Sequence, residues 1–262
     1  MLILLVSCDE KKEQSMEIND LKLNQIQVIG SHNSYRIHPT VDMFNLMLGL
    51  NPELASELDY DHPSFDVQFS QHGIRQIEID VYHDPEGGLF YNQRGNLFIG
   101  LPVASGIEEL LNPGLKVLHF PDIDYRTHYI TFVDALTAVK TWSDTNPNHI
   151  PIFILVEAKD EGLTSVYPSL SGFTQPLPFD GDALDAIDTD IRSVFGDDLS
   201  KVITPDDIRG DKESLEAVIL NGGWTTIGES RGKVYFGLDN GGAIRDEYVA
   251  EHPALALSLI HI

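Results

Sequence analysis

Gln76-Ile77-Glu78-Ile79-Asp80-Val81-Tyr82 is the stretch that decides how the chain is read. Its apolar and acidic residues alternate with the period of a β-strand. Ile77, Ile79 and Val81 therefore fall on one face, and Glu78 and Asp80 on the other. The apolar face predicts covering helices. Two carboxylates side by side inside a fold repel each other and lose hydration, so they require a cation or protons to neutralise them.

Outward from this strand, strand-like and helix-like segments alternate. Ile26 to Gly30 is a short apolar run that passes into Ser31-His32-Asn33-Ser34. Residues 40 to 60 read as helix and loop, with Met43, Phe44, Leu46 and Met47 clustered. Gly87 and Gly88 break the chain, and Leu89 to Asn92 reads as a hairpin arm. Leu115 to Phe120 reads as a strand. Thr131 to Ser143 carries Phe132, Leu136, Val139 and Trp142 near a 3.6-residue period, an amphipathic helix that Pro147 ends. Ile150 to Glu157 is the most apolar strand, predicted to be buried on both faces. Asp182 to Phe195 reads as a helix with Leu184, Ile187, Ile191 and Val194 in one stripe. Val202-Ile203 and Lys233 to Leu238 bring the strands to about six. This βα order predicts an α/β fold, a TIM-like barrel. Since such a barrel has eight strands, the count predicts one incomplete at the C-terminus, with the Lys233 to Leu238 edge unpaired. An open doubly wound sheet is the alternative, although no glycine-rich phosphate loop follows the first strand.

The composition narrows the function. With 262 residues and a formal net charge of −24, the chain is a poor ligand for nucleic acid or for an anionic membrane. An anionic substrate needs a local attractor, and a bound cation is the obvious one. The single cysteine, Cys8, excludes an intrachain disulfide. Leu5-Val6-Ser7-Cys8 matches a lipobox, so residues 1–8 read as a partial lipoprotein signal and 9–22 as a polar tether. The barrel then occupies 23–256. Leu257 to Ile262 looks like a translated sequencing adapter and reads as a non-native tail. No segment has the ~20 apolar residues of a membrane span. The expectation is a monomer of the bacterial cell envelope, either anchored to the membrane through a lipid on Cys8 or secreted.

The polar residues converge on strand ends, where barrels of this kind place their chemistry. The first strand ends in His32-Asn33, the second carries Glu78 and Asp80, the third ends in His119, and the fourth ends in Glu157 with Lys159 two residues on. Three carboxylates and the Asn33 amide oxygen form an all-oxygen set. Hard cations prefer such a set, and calcium tolerates its irregularity better than magnesium. The histidines are then free for proton transfer. His32 suits a base on an attacking hydroxyl, and His119 an acid toward a leaving alcohol, as phosphodiester cleavage requires. His38, His83, His128 and His149 fall in predicted loops and read as surface residues.

Gly30-Ser31-His32-Asn33-Ser34-Tyr35 and Gly73 to Val81 resemble the two signatures of the phosphatidylinositol-specific phospholipase C superfamily, in its calcium-dependent branch. Asp59-Tyr60-Asp61-His62-Pro63, Lys116 to His119, Thr131-Phe132, Trp142-Ser143, His149 to Asp160 and Arg231 to Val234 are similar to the bacterial calcium-dependent group. The resemblance runs from about Gly30 to Asn240. It implies calcium ligands at Asn33, Glu78, Asp80 and Glu157, and a catalytic pair at His32 and His119. It implies weaker substrate contacts at Lys159 and Arg75. The implied activity is cleavage of phosphatidylinositol-type lipids. The alternatives are a glycerophosphodiester phosphodiesterase, whose first motif has His-Arg where this chain has His32-Asn33, and a surface lipoprotein without catalysis.

Overall fold

The computed structural model describes residues 17–168, 171–251 and 259–260. Cys8 and the lipobox lie outside the described residues, as do all of the Leu257 to Ile262 stretch except Leu259-Ile260. Among the described residues, five parallel strands form one sheet: β1 (Gln76–Tyr82), β2 (Ile152–Lys159), β3 (Val202–Ile203), β4 (Val234–Leu238) and β5 (Leu259–Ile260). β1 pairs with β2 and β2 with β4. β3 and β5 follow one another along the other edge of β4. The order is therefore not sequential, because β3 lies beyond β4 instead of between β2 and β4. Nor is β4 left with an unpaired edge.

The alternation read in Gln76–Tyr82 decides the packing. Ile77, Ile79 and Val81, with Ile152, Ile154, Val156 and Ala158 of β2 and Val234, Phe236 and Leu238 of β4, form the main core. Among the described residues, two long helices supply most of the cover on this face. Phe132–Thr145 contributes Phe132, Ala135, Leu136, Val139 and Trp142, and Gly181–Phe195 contributes Ala183, Leu184, Ile187, Ile191 and Phe195. Their starts are set locally. Thr131 Oγ1 accepts the Asp134 N–H while Asp134 accepts that of Thr131, and Asp180 accepts the N–H of Ala183. Among the described residues, no helix is long and apolar enough to cross a membrane.

Three expected strands differ. β2 is not buried on both faces, because its side chains alternate between buried and half-buried. The second face, which carries Phe153, Leu155, Glu157 and Lys159, is the one that bears the polar site. Ile26 to Gly30 is not a strand, although it runs parallel to β1. Arg75 N donates to Ile29 O at 3.0 Å and Ser31 N to Gln76 O at 3.1 Å. Beyond that the chain turns, and the Ser34 hydroxyl takes the place of a strand carbonyl by accepting the Glu78 N–H at 2.9 Å. Leu115 to Phe120 is not a strand either. It makes isolated antiparallel bridges from Lys116 to Tyr82 and Thr131. Lys116 is wholly buried, and its ammonium turns to Asn112 O at 2.6 Å, Gly114 O at 2.8 Å and Asp84 at 3.3 Å. Its bridge to Tyr82 sets the run beside the end of β1.

Candidate active site

The β1–β2 register builds the centre of the site. Asp80 and Glu157 are direct cross-strand partners, and Glu78 sits two residues earlier on the same face of β1. One carboxylate oxygen from each lies within 4.8 Å of the other two. Asp80 is fully buried, and neither of its oxygens takes a well-formed hydrogen bond. Burial pushes the Asp80 carboxyl well above the usual carboxylate range. Lys159 pulls it back, and Glu157 and Glu78 push it further up. Glu78 is likewise raised, first by burial and then by Glu157 and Asp239, against the opposing pull of the Asn33 N–H and His32.

Among the described residues, one ammonium stands among the three carboxylates. Lys159 Nζ lies 3.4 Å from Asp80 and 3.4 Å from Glu157. Burial alone depresses its pKa, but the two carboxylates outweigh that and raise it. Ionised, the three carboxylates exceed the charge of that ammonium in a low-dielectric setting, a surplus that a divalent cation fits. All-oxygen donors of irregular disposition suit calcium.

Asn33 reaches this centre by an unusual backbone. Its φ is +50°, in the left-handed region that asparagine enters more readily than most residues. Its N–H donates to Glu78 Oε2 at 2.8 Å, and its amide Nδ2 donates to Tyr60 OH at 2.9 Å. The side-chain carbonyl, the atom a cation would use, accepts a 3.3 Å contact from Tyr35 OH.

The two histidines stand in different environments. The His32 side chain is 73% exposed, and its Nε2 lies 3.3 Å from Glu78 Oε2. His62 Nε2 meets His32 O at 2.9 Å. The His119 side chain is mostly buried, and its Nδ1 lies 2.8 Å from Asp124 Oδ2. Tyr82 OH donates to the His119 carbonyl at 3.3 Å.

The structure thus brings together Asn33, Glu78, Asp80, Glu157, Lys159 and His32. His119 lies near the end of β1, where Tyr82 OH reaches its carbonyl. Arg75 is the exception. It precedes β1, at the opposite end from the acidic cluster. Its guanidinium donates to Phe69 O at 3.0 Å and Ile74 O at 2.6 Å and lies 4.9 Å over Trp142. Arg75 therefore packs on the helix side, away from the acidic cluster with which its sequence motif grouped it. His149 also differs from its reading as a surface residue. It is buried, with Nε2 2.7 Å from Ser143 Oγ and Nδ1 2.6 Å from Ile150 O, and burial lowers its pKa. Sequence reasoning missed Asp124, Arg36 and Tyr60. The only signal for Arg36 is its place directly after Ser34-Tyr35, and nothing in its type announces burial.

With the geometry in place, the chain can be set beside known proteins. The family described as phosphoinositide phospholipase C, Ca2+-dependent, matches residues 21–261. None of the curated proteins compared with the chain matches it. Among solved structures, the chain is similar to a calcium-dependent phosphoinositol-specific phospholipase C from a Gram-negative Pseudomonas species. The apo form is 17% identical, with a TM-score of 0.55 over 93% of this chain and 66% of that one. The myoinositol complex gives 17%, 0.54, 94% and 68%. A Ca2+-dependent phosphatidylinositol-specific phospholipase C from Streptomyces antibioticus gives 17%, 0.50, 89% and 64%. At this identity the likeness is one of fold. The chain spans about two thirds of the length of these structures.

Proposed function

The chain belongs to the Ca2+-dependent phosphoinositide phospholipase C family, and from that premise we propose that it cleaves the phosphodiester of phosphatidylinositol-type lipids with calcium held by Asn33, Glu78, Asp80 and Glu157. The observation that carries this reading is the convergence of three carboxylates within 4.8 Å at adjacent strand positions. Calcium, when bound, supplies positive charge that lowers the pKa of a nearby hydroxyl and offsets charge developing on phosphoryl oxygens.

The chain's own residues supply the proton transfers. His32, exposed beside the cluster, takes the proton of the inositol 2-hydroxyl as its oxygen bonds to phosphorus. The bond from phosphorus to the diacylglycerol oxygen breaks, and His119 gives that oxygen a proton. The products are a cyclic inositol phosphate and diacylglycerol. Lys159, beside Asp80 and Glu157, would contact the phosphoryl oxygens. Attachment of a lipid at Cys8 would hold the enzyme at the bacterial envelope beside its substrate, and mass spectrometry of a membrane fraction tests that part.

The function is tested by offering phosphatidylinositol and a matched glycerophosphodiester with and without calcium. Calcium-dependent release of inositol phosphates supports the reading. Release of glycerol phosphate instead moves the protein to the glycerophosphodiester phosphodiesterase class, and no release from either substrate favours a non-catalytic surface protein.

A further inference from the structure

Arg36 and Asp124 are both wholly buried, lie 88 residues apart in sequence, and meet at 2.7 Å through Arg36 Nε and Asp124 Oδ2. A pair that only stabilises a fold gains most from two parallel bonds, fork to fork. This pair does not take that form. Asp124 Oδ2 is shared between Arg36 Nε and His119 Nδ1, while among the described residues Asp124 Oδ1 and Arg36 Nη2 are buried without hydrogen-bond partners. Unpaired buried polar atoms carry a desolvation cost. The side chains are thus arranged around the histidine instead of around each other.

The loop is built to hold that arrangement. Phe120 and Asp124 exchange backbone hydrogen bonds at 3.0 Å each. Asp122, between them, accepts the N–H groups of Arg94 at 2.7 Å and Thr174 at 2.8 Å. On the other side, Arg36 Nη1 donates to the Tyr60 carbonyl, and the guanidinium lies 4.8 Å over the Tyr60 ring. Tyr60 OH in turn accepts from Asn33 Nδ2. One continuous set of contacts therefore runs from His119 through Asp124, Arg36 and Tyr60 to Asn33.

We propose that Asp124 and Arg36 are positioning residues for His119, and that Arg36, through Tyr60, ties the acid side of the site to the Asn33 side. This rests on the phosphodiesterase reading above. Asp124 accepts the Nδ1 proton and so directs Nε2 to the substrate. Arg36 supplies the counter-charge that a wholly buried carboxylate needs and fixes which oxygen faces the ring.

The test uses the full chain with Asp124→Asn and Arg36→Lys, the second retaining charge but not the planar fork. Nitrogen NMR of the His119 ring, assigned with His119→Gln, reads the tautomer directly. Expected is that the neutral form of the ring carries its proton on Nδ1 in the wild type and shifts toward Nε2 in Asp124→Asn; it is the imidazolium, made by adding a proton at Nε2 of the Nδ1–H form, that serves as the acid. Turnover on phosphatidylinositol should fall by about 10²-fold or more in Asp124→Asn. Turnover on a diester with a good aryl leaving group should fall far less, and calcium affinity should stay unchanged. Arg36→Lys should show the same selectivity between substrates in weaker form. Equal losses on both substrates with an unchanged tautomer would overturn the proposal and leave a merely structural clamp. If the wild type cleaves neither substrate but the tautomer still follows Asp124, the functional reading fails while the positioning of His119 stands.

Discussion

Lys159→Met separates the two states of the acidic cluster. Without calcium, the Lys159 ammonium lies 3.4 Å from both Asp80 and Glu157, with its side chain only 19% exposed. Removing one partner of a buried ion pair costs about 3–5 kcal/mol, because the remaining charge is left uncompensated. Partial exposure of Lys159 and Glu157 places this case at the low end, about 3 kcal/mol. With calcium bound, the carboxylates already have their counter-charge, and the same substitution should cost about 1 kcal/mol or less. The thermodynamic cycle then requires calcium to bind the variant about 2 kcal/mol more tightly, or roughly 30-fold. Denaturant unfolding with and without saturating calcium reads the two stabilities, and calorimetric titration reads the affinity. The variant should be the less stable protein without calcium and the tighter calcium binder. Equal destabilisation in both conditions, with an unchanged dissociation constant, would refute the idea that Lys159 and the cation compete for the same carboxylates.

Acidity should act oppositely on the two states. Glu78 and Asp80 have raised folded-state pKa values, so without calcium their contribution to stability is fully present below the ordinary carboxylate range and is lost as pH rises through the folded values. Calcium needs them ionised, so the rise in melting temperature that calcium produces should grow with pH across that window. A calcium effect that shrinks over the same range would contradict the assignment. His32→Ala and His119→Ala should each reduce turnover by about 10²-fold or more with calcium affinity nearly intact. An aryl leaving group should rescue His119→Ala in preference to His32→Ala, and the reverse pattern would exchange their roles. Ile79→Ala, at the centre of the helix-facing core, should cost about 2–5 kcal/mol of stability by denaturant unfolding. A loss under 1 kcal/mol would mean that this face of β1 is not the core.

What the sequence made legible was local. The two-residue period of Gln76–Tyr82 was enough to put Glu78 and Asp80 together and Ile77, Ile79 and Val81 under the helices, because it depends on one strand alone. The placement of Glu157 beside Asp80 depends on the register between β1 and β2, which no stretch of either strand states. Leu115 to Phe120 has the composition of a strand, but it makes only isolated bridges, and its buried lysine turns to Asn112, Gly114 and Asp84, contacts that composition does not state. Arg75 shares a sequence motif with Glu78 and Asp80 yet lies off the end of the strand, since adjacency in sequence says nothing about which end of a sheet a side chain serves. Asp124 and Arg36 escaped notice for the same reason in a stronger form. Their burial follows only from segments 88 residues apart meeting over His119.

The central claim is that Asn33, Glu78, Asp80 and Glu157 form one calcium site, and Asp80 is its most buried member. Calorimetric titration of calcium into the wild type and Asp80→Asn tests it most directly. The wild type should bind one calcium per chain, and the variant, with one negative ligand fewer, should bind it about 10²-fold more weakly. An Asp80→Asn protein that binds calcium with wild-type affinity would contradict the site.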